Sequence, residues 1–434
     1  MSLNQRWKML GALLLVIMAI LVVTPGAWSQ TKYQTLHRFQ ERYGRSKDGL
    51  GPVAGLTFDR VGNLYGTTES GGAHSNGTVF ELTPNSSGGW TESVLYSFCS
   101  LTKCQDGEQI FTGVIFDQAG NLYGTTTHGG IHDWGTVFQL SPNSNGGWTE
   151  KVLYNFCSLP KCSDGSQPQS GLIFDQAGNL YGTTASGGGG SGNNEGTVFK
   201  LKPNANGSWT ESVLHSFNGP DGLNPLASLI LDGAGNLYGT TQYGGAGGGG
   251  TAGGGTIFEL MPVSGGWTES VLYDFCSLPK CSDGLLPQAN LTFDQAGNLY
   301  GTTVEGGAAC NCGVVFQLTF GQGGSWTEKV LHAFTGGDGS YPSGSLVFDS
   351  TGNLFGTAHE GGNLTACPTG GCGVVFKLVP ESKGAWHEAV LHDFMAHPGA
   401  LPAAGMIFDS AGNLYGTTRG YNSPFNGSVF EITP

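Results

Sequence analysis

The chain has 434 residues, of which 76 are glycine and 19 proline, and only 12% are charged. So much glycine excludes a mainly helical protein, because each interior glycine costs a helix about 1 kcal/mol relative to alanine. A hydrophobic share of 38%, with 24 Phe, 14 Tyr and 9 Trp, excludes disorder, and a formal charge of −14 argues against nucleic acid and anionic lipid as partners.

Residues 1–29 read as a signal peptide. Arg6 and Lys8 precede an apolar run from Leu10 to Val23, Pro25-Gly26 breaks it, and Ala27-Trp28-Ser29 supplies a small-x-small cleavage pattern. The run falls short of the ~20 residues that a spanning helix needs. Cleavage after Ser29 leaves 16 basic against 32 acidic residues. The expected product is secreted, periplasmic or held at the cell surface, with no stable membrane insertion.

Residues 30–434 read as one domain built from a repeat. Tyr33–Phe39 resembles the last strand of a repeat unit that lacks its first three. The string Gly-Asn-Leu-[Tyr/Phe]-Gly-Thr then begins at Gly62, Gly120, Gly178, Gly235, Gly297, Gly352 and Gly412. In the first unit, four β-branched or aromatic runs stand out: strand a, Gly55–Phe58; strand b, Asn63–Thr68; strand c, Thr78–Leu82; strand d, Trp90–Phe98. Short turns such as Asp-x-x-Gly-Asn join a to b and c to d. Seven units of four antiparallel strands predict an all-β, seven-bladed propeller. The final unit has Gly405–Phe408, Asn413–Thr418 and Ser428–Ile432 but no strand d, so the N-terminal strand is expected to complete it and close the ring.

The ten cysteines fall into four Cys-x4-Cys pairs, Cys99/Cys104, Cys157/Cys162, Cys276/Cys281 and Cys367/Cys372, plus Cys310/Cys312. In an exported chain these predict local disulfides, three of them in the loops that join strand d to the next strand a.

The units Gly-Asn-Leu-Tyr-Gly-Thr-Thr-x-x-Gly-Gly…Gly-Thr-Val-Phe-x-Leu-x-Pro resemble the GloVer (Gloeo/Verruco) tandem repeat of exported bacterial proteins over residues 33–434. Asp-x-x-Gly-Asn-Leu-Tyr-x-Thr is more loosely similar to NHL and two-component-regulator propeller repeats. That likeness implies that the Phe-Asp strand is innermost. The resemblance brings no known activity.

Repeated polar residues read mainly as scaffold. The Asp after each strand a (Asp59, Asp117, Asp175, Asp232, Asp294, Asp349, Asp409) is expected to cap its turn, with calcium ligation as the alternative; no other cofactor is implied. Asp48, Asp106, Asp164, Asp221, Asp283 and Asp338, each before a Gly, read the same way. The strand-d tryptophans are expected between blades. The b–c and d–a loops vary in length, should share one face, and carry the non-repeated candidates Glu69, His128, His132, Asp133, Trp134, Tyr243, Glu305, His359, Glu360, Arg419 and Tyr421. His128-x3-His132-Asp133 has the makings of a metal site, although isolated loop histidines are usually just solvated. No nucleophile elbow, phosphate loop or HExxH motif is present. The leading expectation is a monomeric, non-catalytic propeller that binds an extracellular glycan or protein through its loop face. The alternative is a lyase or glycoside-cleaving enzyme with His128, Glu305, His359 and Arg419 gathered at the axis.

Overall fold

The computed structural model describes residues 31–40, 46–189, 195–246, 253–308, 310–367, 370–396, 399–420 and 425–434. The expected signal peptide lies outside them. Seven four-stranded antiparallel sheets follow one another along the chain, and no α-helix occurs among the described residues. The protein is a seven-bladed β-propeller.

In the first blade, strands a to d are Thr57–Phe58, Leu64–Thr68, Thr78–Pro84 and Trp90–Ser97. Strand a is shorter than the expected Gly55–Phe58. Before Thr57 the chain leaves the ladder to line the axial channel, where Gly55 is drawn so close to Gly113 of the next blade that a Cβ there would lie 2.7 Å from the Gly55 carbonyl oxygen. Asn63 belongs to the turn rather than to strand b. Strand c runs on to Pro84, two residues past the expected Leu82.

The repeated letters have packing reasons. Strand b, Leu-Tyr-Gly-Thr-Thr, is buried along its whole length because neighbouring blades cover both its faces. Gly66 lies under the ring of Phe80 on strand c; a Cβ would stand 2.5 Å from Cζ, and the same pairing recurs at Gly182 beneath Phe199. Thr67 Oγ1 donates to the Thr112 carbonyl of the next blade (2.8 Å), while Thr68 and Thr78 hydroxyls meet across the strands (2.8 Å).

Aromatic side chains fill the seams. Tyr415 of the last blade packs edge-on against Phe58 and Trp90 of the first, and Tyr123 does the same with Phe174 and Trp209 one blade on. The strand-d tryptophans are therefore interblade packing, as expected. The Phe at the end of each strand-d segment, just past the ladder in the blades built from one stretch of chain, meets a strand-c Phe of the next blade at 4.8–5.3 Å, from Phe39–Phe80 through Phe394–Phe430.

The d–a segments differ from plain loops at one point. Cys104, Cys162 and Cys281 do not simply lie in irregular chain: each ends a three-residue 3-10 turn, Thr102–Cys104, Pro160–Cys162 and Pro279–Cys281. The turn forms because the chain must reverse within the six residues that each disulfide closes. Both cysteines of each of these pairs take positive φ to do so. The carbonyl of the second cysteine then anchors the loop. Cys162 O accepts Gly165 N–H and Gly188 N–H (2.9 Å each), and Cys281 O accepts Gly284 N–H (3.0 Å) and Gly307 N–H (2.9 Å). Nothing in the Cys-x4-Cys spacing itself announces that second role.

Closure follows the expectation from the chain ends. Lys32–Gln40 pairs antiparallel with Phe425–Thr433, in register Tyr33 with Ile432 and Thr35 with Phe430. Phe39 is fully buried and joins Leu36, Leu56, Phe80 and Val429 in one cluster. One blade is thus built from both ends of the chain, and the edge of Phe425–Thr433 is covered by a fourth strand as strand c is in the other six blades.

Candidate functional site

Turn chemistry accounts for the inner Asp series. Asp117 Oδ1 accepts the backbone N–H groups of Ala119 and Asn121, and Oδ2 accepts Asn121 Nδ2 (2.7 Å) and the Tyr123 hydroxyl (3.0 Å). Burial pushes this carboxyl up, but donation from Asn121, Tyr123 and Ala119 outweighs it and holds the group below its ordinary range. Four acceptor positions are already used, so the carboxylate serves the turn. In the second series, buried Asp106 accepts from Ser100 N, Ser100 Oγ, Leu101 N and the Tyr96 hydroxyl, fixing the d–a loop. All five expected disulfides form. Cys99–Cys104, Cys157–Cys162 and Cys276–Cys281 lie in d–a loops, whereas Cys310–Cys312 and Cys367–Cys372 lie in b–c loops.

The d–a and b–c loops share one face, where each d–a loop bridges the start of a b–c loop, as in Leu50 with Ser70 and Ser340 with Glu360. The bridge holds one residue per blade in the left-handed region: Gly51, Gln109, Gln167, Asn224, Leu286, Tyr341 and Leu401. Six of these are not glycine, and each costs about 1 kcal/mol or more of backbone strain. Tyr341 shows what the strain secures: its N–H donates to the Cys312 carbonyl and its own carbonyl accepts His359 N–H, tying two blades at the channel mouth.

Two collars ring that mouth. The residue directly after strand b is Glu69, Thr127, Ala185, Gln242, Val304, His359 or Arg419, different in every blade although the five preceding positions are nearly constant. The second collar, early in the approach to strand a, comprises Val53, Phe111, Gln169, Leu226, Gln288, Ser343 and Ala403, all lining a channel of about 310 Å³. Above it opens a cavity of about 390 Å³ lined by Glu69, His359, Glu360 and Arg419 together with Phe111 and Tyr341. Arg419 Nη2 contacts both carboxylate oxygens of Glu69 (3.2 and 3.3 Å), joining the last blade to the first. His359 Nδ1 lies 3.3 Å from the Pro402 carbonyl, which fits an N–H donor at that nitrogen. Burial lowers its pKa, the Pro402 contact offsets part of this, and Arg419 adds to it, so the imidazole stays neutral at neutral pH. Burial raises the Glu360 carboxyl above its ordinary value.

The remaining candidates do not join this group. His128 Nε2 sits 3.3 Å from Gln167 Nε2, and Glu305 Oε2 accepts Asn311 Nδ2 at 3.0 Å. His132, Asp133 and Trp134 are exposed on a b–c loop, where Asp133 caps Gly129 N; among the described residues no metal-ligating group includes His128 or His132. Tyr243 is bridged through its backbone to Leu223. Tyr421 lies outside the described residues. Phe111 and Tyr341 do not stand out in the sequence, because each belongs to a column that has no other aromatic member and no single residue recurring throughout. A larger groove of about 710 Å³ opens on the opposite face between the first two blades. Its lining of Phe58, Asp59, Tyr65 and Trp148 is repeat scaffold, so the axial mouth remains the better candidate.

A family model described as the Gloeobacter/Verrucomicrobia repeat matches residues 22–192, 88–252 and 193–430. The chain belongs to this family. No curated protein matches it in sequence. Among solved structures it is similar to a putative oxidoreductase (glucose dehydrogenase) of Thermus thermophilus, at 15% identity and TM-score 0.44 over 93% of this chain and 100% of that one. A periplasmic gluconolactonase of Pseudomonas aeruginosa is similar at 14% and 0.46, over 86% of this chain and 95% of that one. At that identity and superposition neither activity carries over. In this Gloeobacter/Verrucomicrobia repeat protein, the repeat letters specify blades and seams, and the collar residues individualise the mouth.

Proposed function

We propose that this protein is an exported, non-catalytic propeller that binds a carbohydrate at the mouth of its axial channel. The observation that supports this is the first collar: seven different side chains at one repeat position, four of them lining a single cavity. A scaffold needs no such asymmetry there, whereas a ligand without seven-fold symmetry does. The Arg419–Glu69 pair, the neutral His359 and the rings of Phe111 and Tyr341 form the mixed polar and aromatic lining that suits a neutral sugar. Export is supported by the charge and apolar pattern of residues 1–29 and by five disulfides, which persist in oxidising compartments. The acidic charge disfavours nucleic acid as a partner, and a monomer suffices because the ring closes on itself.

The enzyme reading draws on the meeting of His359, Glu360 and Arg419 in one cavity. It is disfavoured because His128 and Glu305 are engaged elsewhere and Arg419 is already paired. A glycan array of the mature protein, run beside a turnover screen on the same sugars, separates the two. Saturable binding without product supports the proposal; product formation that depends on His359 overturns it.

A further inference from the structure

Every seam draws on three repeat positions of the sequence, and six seams bring them together among the described residues: the residue two before the Phe that follows strand d, the Asp of the next Asp-Gly, and the Glu of Trp-[Thr/His]-Glu in the following blade. Three seams carry Tyr at the first position (Tyr96, Tyr154, Tyr273), and each of their d–a loops is closed by a disulfide. The other four carry His37, His215, His332 and His392, and none of their d–a loops contains a cysteine. Histidine therefore stands wherever the covalent closure is missing.

Two of these seams gather a compact donor set. His215 Nε2 lies 3.0 Å from Asp221 Oδ2, and His332 Nε2 lies 3.1 Å from Asp338 Oδ2. A carboxylate oxygen of Glu269 or Glu388 completes each set, with all three atoms within 4.8 Å of one another. Two donors on one tetrahedral zinc ion, each ~2.0–2.2 Å from it, stand about 3.3 Å apart. The loop orients the carboxylates: Asp221 Oδ1 accepts Asn218 N, and Asp338 Oδ1 accepts Thr335 N and Oγ1. Glu269 Oε1 and Glu388 Oε1 are buried without a hydrogen-bond partner among the described residues, an arrangement folded proteins seldom leave uncompensated. The Tyr seams share that bare oxygen, so the imidazole is what sets the His seams apart. At the seventh seam, Tyr33 replaces the Glu and Pro398 the Asp, and His392 instead stacks flat on Tyr33 at 4.0 Å. His37 pairs with Asp48 at 3.3 Å, but among the described residues no third donor reaches the same span.

We propose that His215–Asp221–Glu269 and His332–Asp338–Glu388 are interblade sites for a divalent transition-metal ion, with zinc as the fitting probe. One imidazole nitrogen and two carboxylates suit such an ion, and the imidazole disfavours calcium or magnesium. The ion takes the place of the hydrogen on Nε2 that faces the Asp carboxylate; in a neutral ring that proton moves to Nδ1, and only a charged ring releases one. It ties the d–a loop to the next blade where no disulfide closes that loop.

Equilibrium dialysis of the metal-free mature protein against low-micromolar Zn²⁺, followed by elemental analysis, tests this. The expected result is two ions per chain and a raised melting temperature. His215→Tyr and His332→Tyr should each remove one ion and together remove both. The fold should tolerate tyrosine there, since three equivalent seams already hold it, and circular dichroism checks that it does. No retained zinc, retention of both ions by the double variant, or equal retention of Ca²⁺ would overturn the proposal.

Discussion

Burial raises the carboxyl groups of the seam glutamates above their solution range. Glu150 is the clearest case among the Tyr seams: burial and then the charge of Asp106 push its carboxyl up to about 8, with Tyr96 the other titratable group beside Asp106. Its folded pKa exceeds the unfolded value of ~4.3, so its share of stability is complete below that value and is lost as pH rises towards 8. Glu150→Gln removes the titrating group. The variant should match the parent at pH 4 and exceed it at pH 8, by on the order of 1 kcal/mol after allowing for screening. Melting curves at the two pH values check this; a variant destabilised equally at both would show that the carboxylate is needed charged.

Blades and loops divide the work of stability and recognition. Each blade stands on its strand ladder and on aromatic seams, whereas the Cys-x4-Cys disulfides close six-residue loops on the face that carries the channel mouth. By chain entropy such a loop contributes roughly 2 kcal/mol, and the d–a loops keep hydrogen bonds such as Cys99 N to the Gly107 carbonyl and Gly107 N to the Cys104 carbonyl. Reduction should therefore lower the melting temperature while the far-ultraviolet β signal persists at room temperature. Loss of that signal on reduction would mean that the loops hold the blades together. The blades were legible in the sequence because seam packing repeats: Gly66 beneath Phe80, and Tyr123 between Phe174 and Trp209, leave the same letters in unit after unit. The ends of strand a were not, since that strand is cut short by the approach of Gly55 to Gly113, a contact between blades that no local pattern carries. The pairing of Cys162 and Cys281 with their partners was legible from spacing. Their carbonyls' hold on Gly188 and Gly307 was not, because those glycines belong to a b–c loop distant in sequence. The site was half legible. Glu69, His359, Glu360 and Arg419 stood out as departures from the repeat, but whether they meet depends on curvature around the axis. Phe111 and Tyr341 become visible only when the units are aligned on Asp-Gly and compared column by column.

At the scale of the molecule, the ring depends on its first described strand. Tyr33, Leu36 and Phe39 fill the seams on both sides of the last blade, and burying a large side chain is worth roughly 1.5–3 kcal/mol. Deleting residues 30–40 should lower the melting temperature by about ten degrees and favour association through the bared edge of the last strand. Scanning calorimetry and light scattering check this; an unchanged, monodisperse protein would mean that the ring does not need this closure. A closed ring also fixes the mouth, because Arg419 of the last blade reaches Glu69 of the first only when the two are held adjacent. The measurement that bears most directly on the functional proposal is titration of the strongest array glycan against three forms: the parent, a Glu69→Gln/Arg419→Gln variant at the mouth, and an Arg60→Ala/Val61→Ser variant in the groove of the opposite face, which those two residues also line. The mouth changes should weaken binding at least tenfold and the opposite-face changes should leave it unaltered; the reverse pattern would contradict the assignment of the site.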